Sequence, residues 1–151
     1  MEFLADKHPL VIHFPIAFLT FYVFLEILSQ IFKRDFLIKI THLSLLIGVI
    51  GGIASVLTGN MEFQLLNQNN LLTQTLVSEI SEHEFYATLT MWYFFILLIS
   101  KTYIFLKKKN QSKFNFLFVI FAVIGFYLIY NTSKIGGGLV YKFGVGTNLL
   151  N

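Results

Sequence analysis

The chain alternates long apolar stretches with short polar segments. Four stretches meet the length of about 20 mostly apolar residues that crosses roughly 30 Å of hydrocarbon. They run over about 9–32, 36–58, 85–106 and 114–130. None reads as alternating strands of a barrel. The pattern therefore predicts an all-α integral membrane bundle, a single transmembrane domain of four transmembrane helices in up-down-up-down order.

The composition agrees with a membrane location. Of the 151 residues, 56% are hydrophobic and only 13% are charged, whereas a soluble domain is about 25% charged. The chain has no cysteine, which excludes a disulfide framework or a thiolate metal site. The net charge of +3 comes from basic residues that flank apolar stretches. We therefore expect the lipid bilayer to surround the chain, and we expect no nucleic-acid partner.

The charges between the stretches predict how the chain is oriented. Basic residues lie in the first and third connections: Lys33, Arg34, Lys39, Lys107, Lys108, Lys109 and Lys113. The connection over 60–84 is acidic instead, with Glu62, Glu79, Glu82 and Glu84. The positive-inside rule then places both basic connections in the cytoplasm and both termini outside, which is the periplasm for a bacterial inner membrane. The first stretch lacks the features of a cleavable signal peptide, so we expect it to remain as a span.

Two further segments are predicted on the outer side. The outer loop over 60–84 contains regularly spaced leucines that predict a short interfacial helix. The tail over 135–151 is rich in glycine but also carries apolar and aromatic side chains. Because a pure linker would be polar, we expect this tail to fold back onto the outer face.

Three histidines, His8, His13 and His83, fall near the outer ends of spans one and three. His8 and His13 are five residues apart, about 140° around a helix, so they do not share a face. Neutral imidazole is the commonest metal ligand, and spans one and three lie diagonally in an up-down bundle. A histidine from each span could hold a b-type haem. We favour His13 with His83, and His8 is the competing ligand.

The same histidines allow other interpretations. They could bind copper or zinc, because imidazole suits both metals. They could also be interfacial residues satisfied by backbone or water, with no cofactor. A haem would need a slot, which Gly48, Gly51 and Gly52 of span two could supply, although small residues in membrane helices also serve for plain packing.

Ionisable residues also lie towards the inner ends of the spans. Glu26 and His42 lie eight positions on either side of Arg34, so they should face each other at equal depth as a buried polar pair. This pair could be a structural clamp, or a proton relay or quinone-facing site. Lys101 is expected to extend to the inner headgroups.

Several motifs resemble those of a bacterial family of four-helix membrane proteins, domain of unknown function 2231. The sequence HPLVIHFPIA over 8–17 is similar to the opening motif of the family, and Thr58-Gly59 is similar to its Thr-Gly before the outer loop. His83 fits its outer-loop histidine. Gly137-Gly138-Leu139-Val140-Tyr141, followed by Gly144-Val145-Gly146, resembles its C-terminal signature. The chain departs at Asn60, where the family pattern has an acidic residue.

The resemblance implies a context rather than an activity. Such domains occur joined to, or near, c-type cytochrome modules, which implies a redox role at the periplasmic face. The leading hypothesis is a small electron-transfer subunit that passes electrons between a membrane donor and a periplasmic acceptor, such as a c-type cytochrome or a membrane redox complex. The alternative is a cofactor-free scaffold or assembly subunit. No hydrolase motif or phosphate loop occurs, so no catalytic residue is predicted and the chain is not expected to be an enzyme by itself.

Overall fold

The computed structural model describes residues 8–107 and 111–147, and these residues are helical apart from short connections. A short helix α1 covers His8–Val11 and leads into α2, His13–Phe32. Three long helices follow: α3 at Asp35–Gln68, α4 at Gln74–Leu106 and α5 at Gln111–Phe143. The predicted all-α fold is confirmed.

Four segments are long and apolar enough to cross a membrane: His8–Phe32, Asp35–Gln68, Gln74–Leu106 and Phe116–Phe143. Large apolar side chains are exposed on all four long helices, among them Phe24, Ile50, Ile96 and Phe126. A surface of this kind suits hydrocarbon rather than water. The four predicted membrane helices are thus confirmed.

The four long helices close into a bundle because each packs on its neighbour along the chain and α5 packs back on α2. This leaves α2 and α4 on the diagonal, as expected of an up-down bundle. Tyr22, Leu45, Phe94 and Ala122 are fully buried, one from each long helix. Tyr22 and Phe94 meet edge to face with ring centroids 6.1 Å apart, so the diagonal helices touch at the centre of the core.

The two ends of the bundle differ in charge and in connection. The turn end holds the tight turn at Lys33 and Arg34, where Lys33 has a left-handed φ of 44° and its N–H bonds the carbonyl of Ser29. Lys107 follows α4 at the same end, whereas Lys108 and Lys109 lie outside the described residues. The loop end holds His8 and the connection 69–73. There Thr73 caps α4 by accepting a hydrogen bond from the N–H of Leu76.

The long helices extend further at the loop end than the hydropathy pattern predicts. The predicted loop over 60–84 shortens to 69–73, and the predicted tail is helical up to Phe143. The physical reason is a separate apolar cluster at the loop end, formed by Leu66, Leu76, Leu139 and Val145. The chain turns at Gly144, whose φ is 70°, and returns Val145 to this cluster. Within the described part of the tail, this last stretch folds back, and residues 148–151 lie outside the described part.

Candidate functional site

His8 is held at the loop end by two residues of α3. Its Nδ1 lies 2.9 Å from the hydroxyl oxygen of Thr58. The single proton of the Thr58 hydroxyl has the backbone carbonyls of Ala54 and Ser55 as acceptors. When the hydroxyl donates to one of them, it accepts from His8 Nδ1, and in that tautomer Nε2 is unprotonated. The ring also lies on Gly59, where an added Cβ would be 3.0 Å from His8 Cε1.

His83 occupies the corresponding place between α4 and α5. Its ring lies on Gly136, where an added Cβ would be 2.8 Å from His83 Cε1. The ring also interacts with the backbone of Thr132. Its Nδ1 is buried and has no hydrogen-bond partner among the described residues. A buried imidazole nitrogen without a partner is a candidate ligand atom.

The two histidines are presented in the same way by two helical hairpins. In each hairpin, a histidine at the start of the first span rests on a glycine near the end of the second span. Both rings lie at the loop end of the bundle, one on each hairpin. We call His8 and His83 the imidazole pair. The structure brings these two predicted site residues together at one end of the bundle.

His13 does not join the imidazole pair. It is exposed on the outer face of α2 and makes no hydrogen bond or ring contact within the described residues. The angle of about 140° between positions five residues apart explains this, because His8 turns inwards and His13 then faces outwards. The structure therefore brings His8 to His83 in place of the expected His13.

The three histidines considered for copper or zinc do not form one group within the described part of the chain. Among the described residues, no group of three or more histidines and carboxylates is placed to hold a metal ion. The glycines of α3 do not form a slot either. An added Cβ at Gly48 would be 2.5 Å from Leu19 Cδ2, and one at Gly51 would be 3.2 Å from Pro15 Cδ. These two glycines are packing contacts between α2 and α3.

A second polar site lies near the turn end. Lys101 of α4 donates a hydrogen bond to Glu26 of α2 and forms an ion pair with it. Only 1% of Glu26 and 8% of Lys101 is exposed. The Lys101 ammonium also lies 5.3 Å from the Tyr22 ring centroid and 5.2 Å from that of Phe118. The expectation that Lys101 reaches the headgroups is wrong, because the buried carboxylate and the two rings hold it inside.

His42, the expected partner of Glu26, bonds a different residue. Its Nε2 lies 3.1 Å from the hydroxyl oxygen of Thr102, and its ring stacks on Phe105. Its Nδ1 is buried and unpartnered among the described residues. Glu26 and His42 nevertheless line the same small cavity. The predicted direct pair is thus replaced by an ion pair and a neighbouring imidazole.

Four apolar helices around half-buried imidazoles and a buried ion pair define an integral membrane protein with four candidate spans. Residues 7–149 match the family described as predicted membrane protein (DUF2231), and the chain belongs to that family. No curated protein and no solved structure is detectably similar to it. The resemblance drawn from the motifs is confirmed, and the family description assigns no activity.

Proposed function

We propose that this protein is a small electron-transfer subunit of a bacterial inner membrane that binds a b-type haem through His8 and His83. The observation that carries the proposal is the imidazole pair itself. It places one imidazole from each hairpin at the same end of the bundle, and two histidine imidazoles can serve as the axial ligands of a haem iron. A bare zinc ion takes three or four protein ligands, and no such group occurs among the described residues.

The surroundings of the pair suit ligation. Thr58 accepts from His8 Nδ1 and so directs the unprotonated Nε2 to a ligand, which is the usual role of a hydrogen-bonded group behind a metal-binding histidine. His83 Nδ1 has no competing partner within the described chain. The rings pack directly on Gly59 and Gly136, which holds each imidazole in place. The bound haem would supply the redox chemistry, and the chain would supply ligands, orientation and a dry site.

The charge distribution supports a periplasmic location for this site. Lys33, Arg34, Lys39 and Lys107 are exposed at the turn end, which the positive-inside rule assigns to the cytoplasm. The imidazole pair at the opposite end would then lie near the periplasm, within reach of a c-type cytochrome or a membrane redox complex. Reporter fusions at each connection test this orientation, and a periplasmic turn end would overturn it.

An absorption spectrum of the detergent-purified protein tests the haem. Split α and β bands after dithionite reduction are expected, and His8→Ala and His83→Ala should each abolish them. His13→Ala is the matched control, because His13 is exposed outside the pair, and it should leave the spectrum unchanged. A wild-type protein without haem bands, or unchanged bands in both pair variants, would sink the assignment.

An exposed face of α4 favours a second candidate, a scaffold subunit without cofactor. This face presents Ser81, Glu84, Phe85, Thr88, Leu89 and Trp92. Aromatic side chains are enriched at protein interfaces, so Phe85 and Trp92 suit a contact with a partner helix. A photo-crosslinker at position 92 should then capture one defined subunit, and one at the exposed Ile50 of α3 should not. Elemental analysis separates the remaining copper or zinc alternative, which would give metal without porphyrin.

A further inference from the structure

A small cavity lies inside the bundle towards the turn end, apart from the imidazole pair. Its volume is about 30 Å³, and its lining includes Glu26, Ser29, His42 and Lys101. One water needs about 10–15 Å³ of such space, whereas pockets for organic ligands measure about 300–1,000 Å³. The cavity therefore admits one or two waters and excludes a quinone ring.

The hydrogen bonds of His42 determine which of its nitrogens can accept a proton. When the Thr102 hydroxyl donates its single proton to the carbonyl of Leu98, it accepts from His42 Nε2. In that tautomer the proton of the neutral ring is on Nε2, and Nδ1 carries the lone pair. Because Nδ1 is buried without a partner among the described residues, a cavity water that donates to it would satisfy it.

The carboxylate of Glu26 lies on the same cavity and is the most deeply placed charge there. Its Oε2 accepts from Lys101, which neutralises the pair overall. His42 is only half-buried, so it stands between the surface of the turn end and the buried carboxylate. His42 is therefore the more exposed residue and Glu26 the more buried one. The cavity that both line has room for one or two waters.

We infer that water in this cavity connects His42 to the Glu26–Lys101 pair and makes these three residues a proton-exchange site that opens towards the turn end. A proton taken up by His42 leaves from Nδ1 to the water, and the water passes one of its own protons to the Glu26 carboxylate. The water is regenerated and His42 and Glu26 end neutral. Lys101 stays an ammonium, and the rings of Tyr22 and Phe118 are what remains to stabilise it. The site does not depend on whether the imidazole pair binds haem.

The other groups around the cavity do not compete for this proton. Among the described residues, the titratable groups at this depth are Tyr22 and Glu26 on α2, His42 on α3, and Tyr93 and Lys101 on α4, while α5 presents the apolar ring of Phe118. The Tyr93 hydroxyl donates to the carbonyl of Phe121. The Tyr22 hydroxyl lies near Glu26 and interacts with it, but Tyr22 does not line the cavity.

The hydration of the cavity can be measured first. The chain has four histidines, so ¹⁵N-histidine labelling of protein in liposomes gives few ring signals, and His42→Gln assigns one of them. Ser29→Val fills part of the cavity. Ser44→Val is the matched control, because both serines are buried and donate to a backbone carbonyl but only Ser29 lines the cavity. Magnetisation transfer from water to His42 should fall about threefold or more in Ser29→Val only, since a filled cavity holds no water.

The proton step is measured by infrared difference spectroscopy after a drop in pH. A band of the protonated carboxyl that is absent in Glu26→Gln identifies Glu26. His42→Gln should slow the appearance of this band by about tenfold or more, as loss of a relaying base does, and Ser44→Val should not. His42→Gln also keeps the test valid if Ser29→Val fails to fold. Wild-type protein without water transfer to His42, or a Glu26 band independent of His42, would overturn the inference.

Discussion

Lys101 and Glu26 join the two diagonal helices of the bundle through a buried ion pair. The pair sits one layer from the edge-to-face contact of Tyr22 and Phe94, and the Lys101 ammonium lies over the Tyr22 ring. The polar and aromatic contacts thus connect α2 to α4 at the centre of the bundle. Helices that follow one another in the chain pack side by side around this centre. The pair fixes the relative depth of the two helices.

Removing one member of this ion pair should be costly. Lys101→Met leaves the Glu26 carboxylate buried without its partner, and breaking a buried pair in this way costs about 3–5 kcal/mol. The double variant Glu26→Gln/Lys101→Met should recover most of this loss. Unfolding by detergent titration, followed by the fluorescence of the single tryptophan, measures both. A double variant as unstable as the sum of the two single variants would contradict the expected coupling.

The contact between α2 and α3 predicts unequal effects at two glycines. A Cβ at Gly48 would lie 2.5 Å from Leu19 Cδ2 and 3.2 Å from the Leu19 backbone nitrogen. Gly48→Ala should therefore force the helices apart and destabilise by about 1–3 kcal/mol. At Gly52 the nearest atom is 3.9 Å away, so Gly52→Ala is the control and should be neutral or stabilising by up to about 1 kcal/mol. Equal stability of the two variants in the same titration would argue against the close packing.

Adjacent glycines of α5 test the position of His83. A Cβ at Gly136 would lie 2.8 Å from His83 Cε1, whereas one at Gly137 would meet nothing within 4 Å. Because the ring is the end of a flexible side chain, Gly136→Ala should displace it rather than unfold the protein. The ¹⁵N ring signals of His83 should shift in Gly136→Ala and stay in place in Gly137→Ala. A shift of the same size in both variants would mean that His83 does not rest on α5.

Thr58 should control the orientation of His8. Thr58→Val removes the acceptor that holds the proton on Nδ1, so the ring loses its preferred tautomer. If the imidazole pair binds haem, haem affinity should fall by about 10–100-fold, as for other residues behind metal ligands. Thr41→Val is the control, because Thr41 also donates to a carbonyl four residues earlier and makes no hydrogen bond to the imidazole pair. Haem titration of the two variants gives the comparison, and equal affinities would count against the role of Thr58.

Hydropathy and charge predicted the number of helices, their order and the difference between the two ends. They did not predict how far the helices continue at the loop end. That extension depends on Leu66, Leu76, Leu139 and Val145, which are distant in sequence and meet only after the bundle has formed. Hydropathy averaged along the sequence detects the segments that can cross the hydrocarbon. It does not detect a contact between side chains of different segments.

The rotation of each helix about its own axis was harder to predict than the position of the helices in the sequence. The spans are apolar on all sides, so periodicity does not show which face turns inwards. The spacing correctly separated His8 from His13 but could not decide which of the two faces His83. The Glu26–Lys101 pair did leave a signal, because opposite charges lie at similar depth in two apolar spans, a few residues before Lys33 and Lys107. The sequence did not distinguish this pairing from the alternative, because the long side chain of Lys101 can also extend to the headgroups.

The diagonal ion pair also has a consequence for the biogenesis of the protein. During synthesis the first hairpin enters the membrane with Glu26 before Lys101 has emerged. A lone charge at bilayer depth costs about 2.5–3.5 kcal/mol on insertion scales. The first hairpin alone is therefore unstable in the bilayer and open to extraction and proteolysis. It becomes stable when the second hairpin inserts and Lys101 pairs with Glu26. Truncated chains should accordingly be cleared from the cell, and only a completed chain should accumulate.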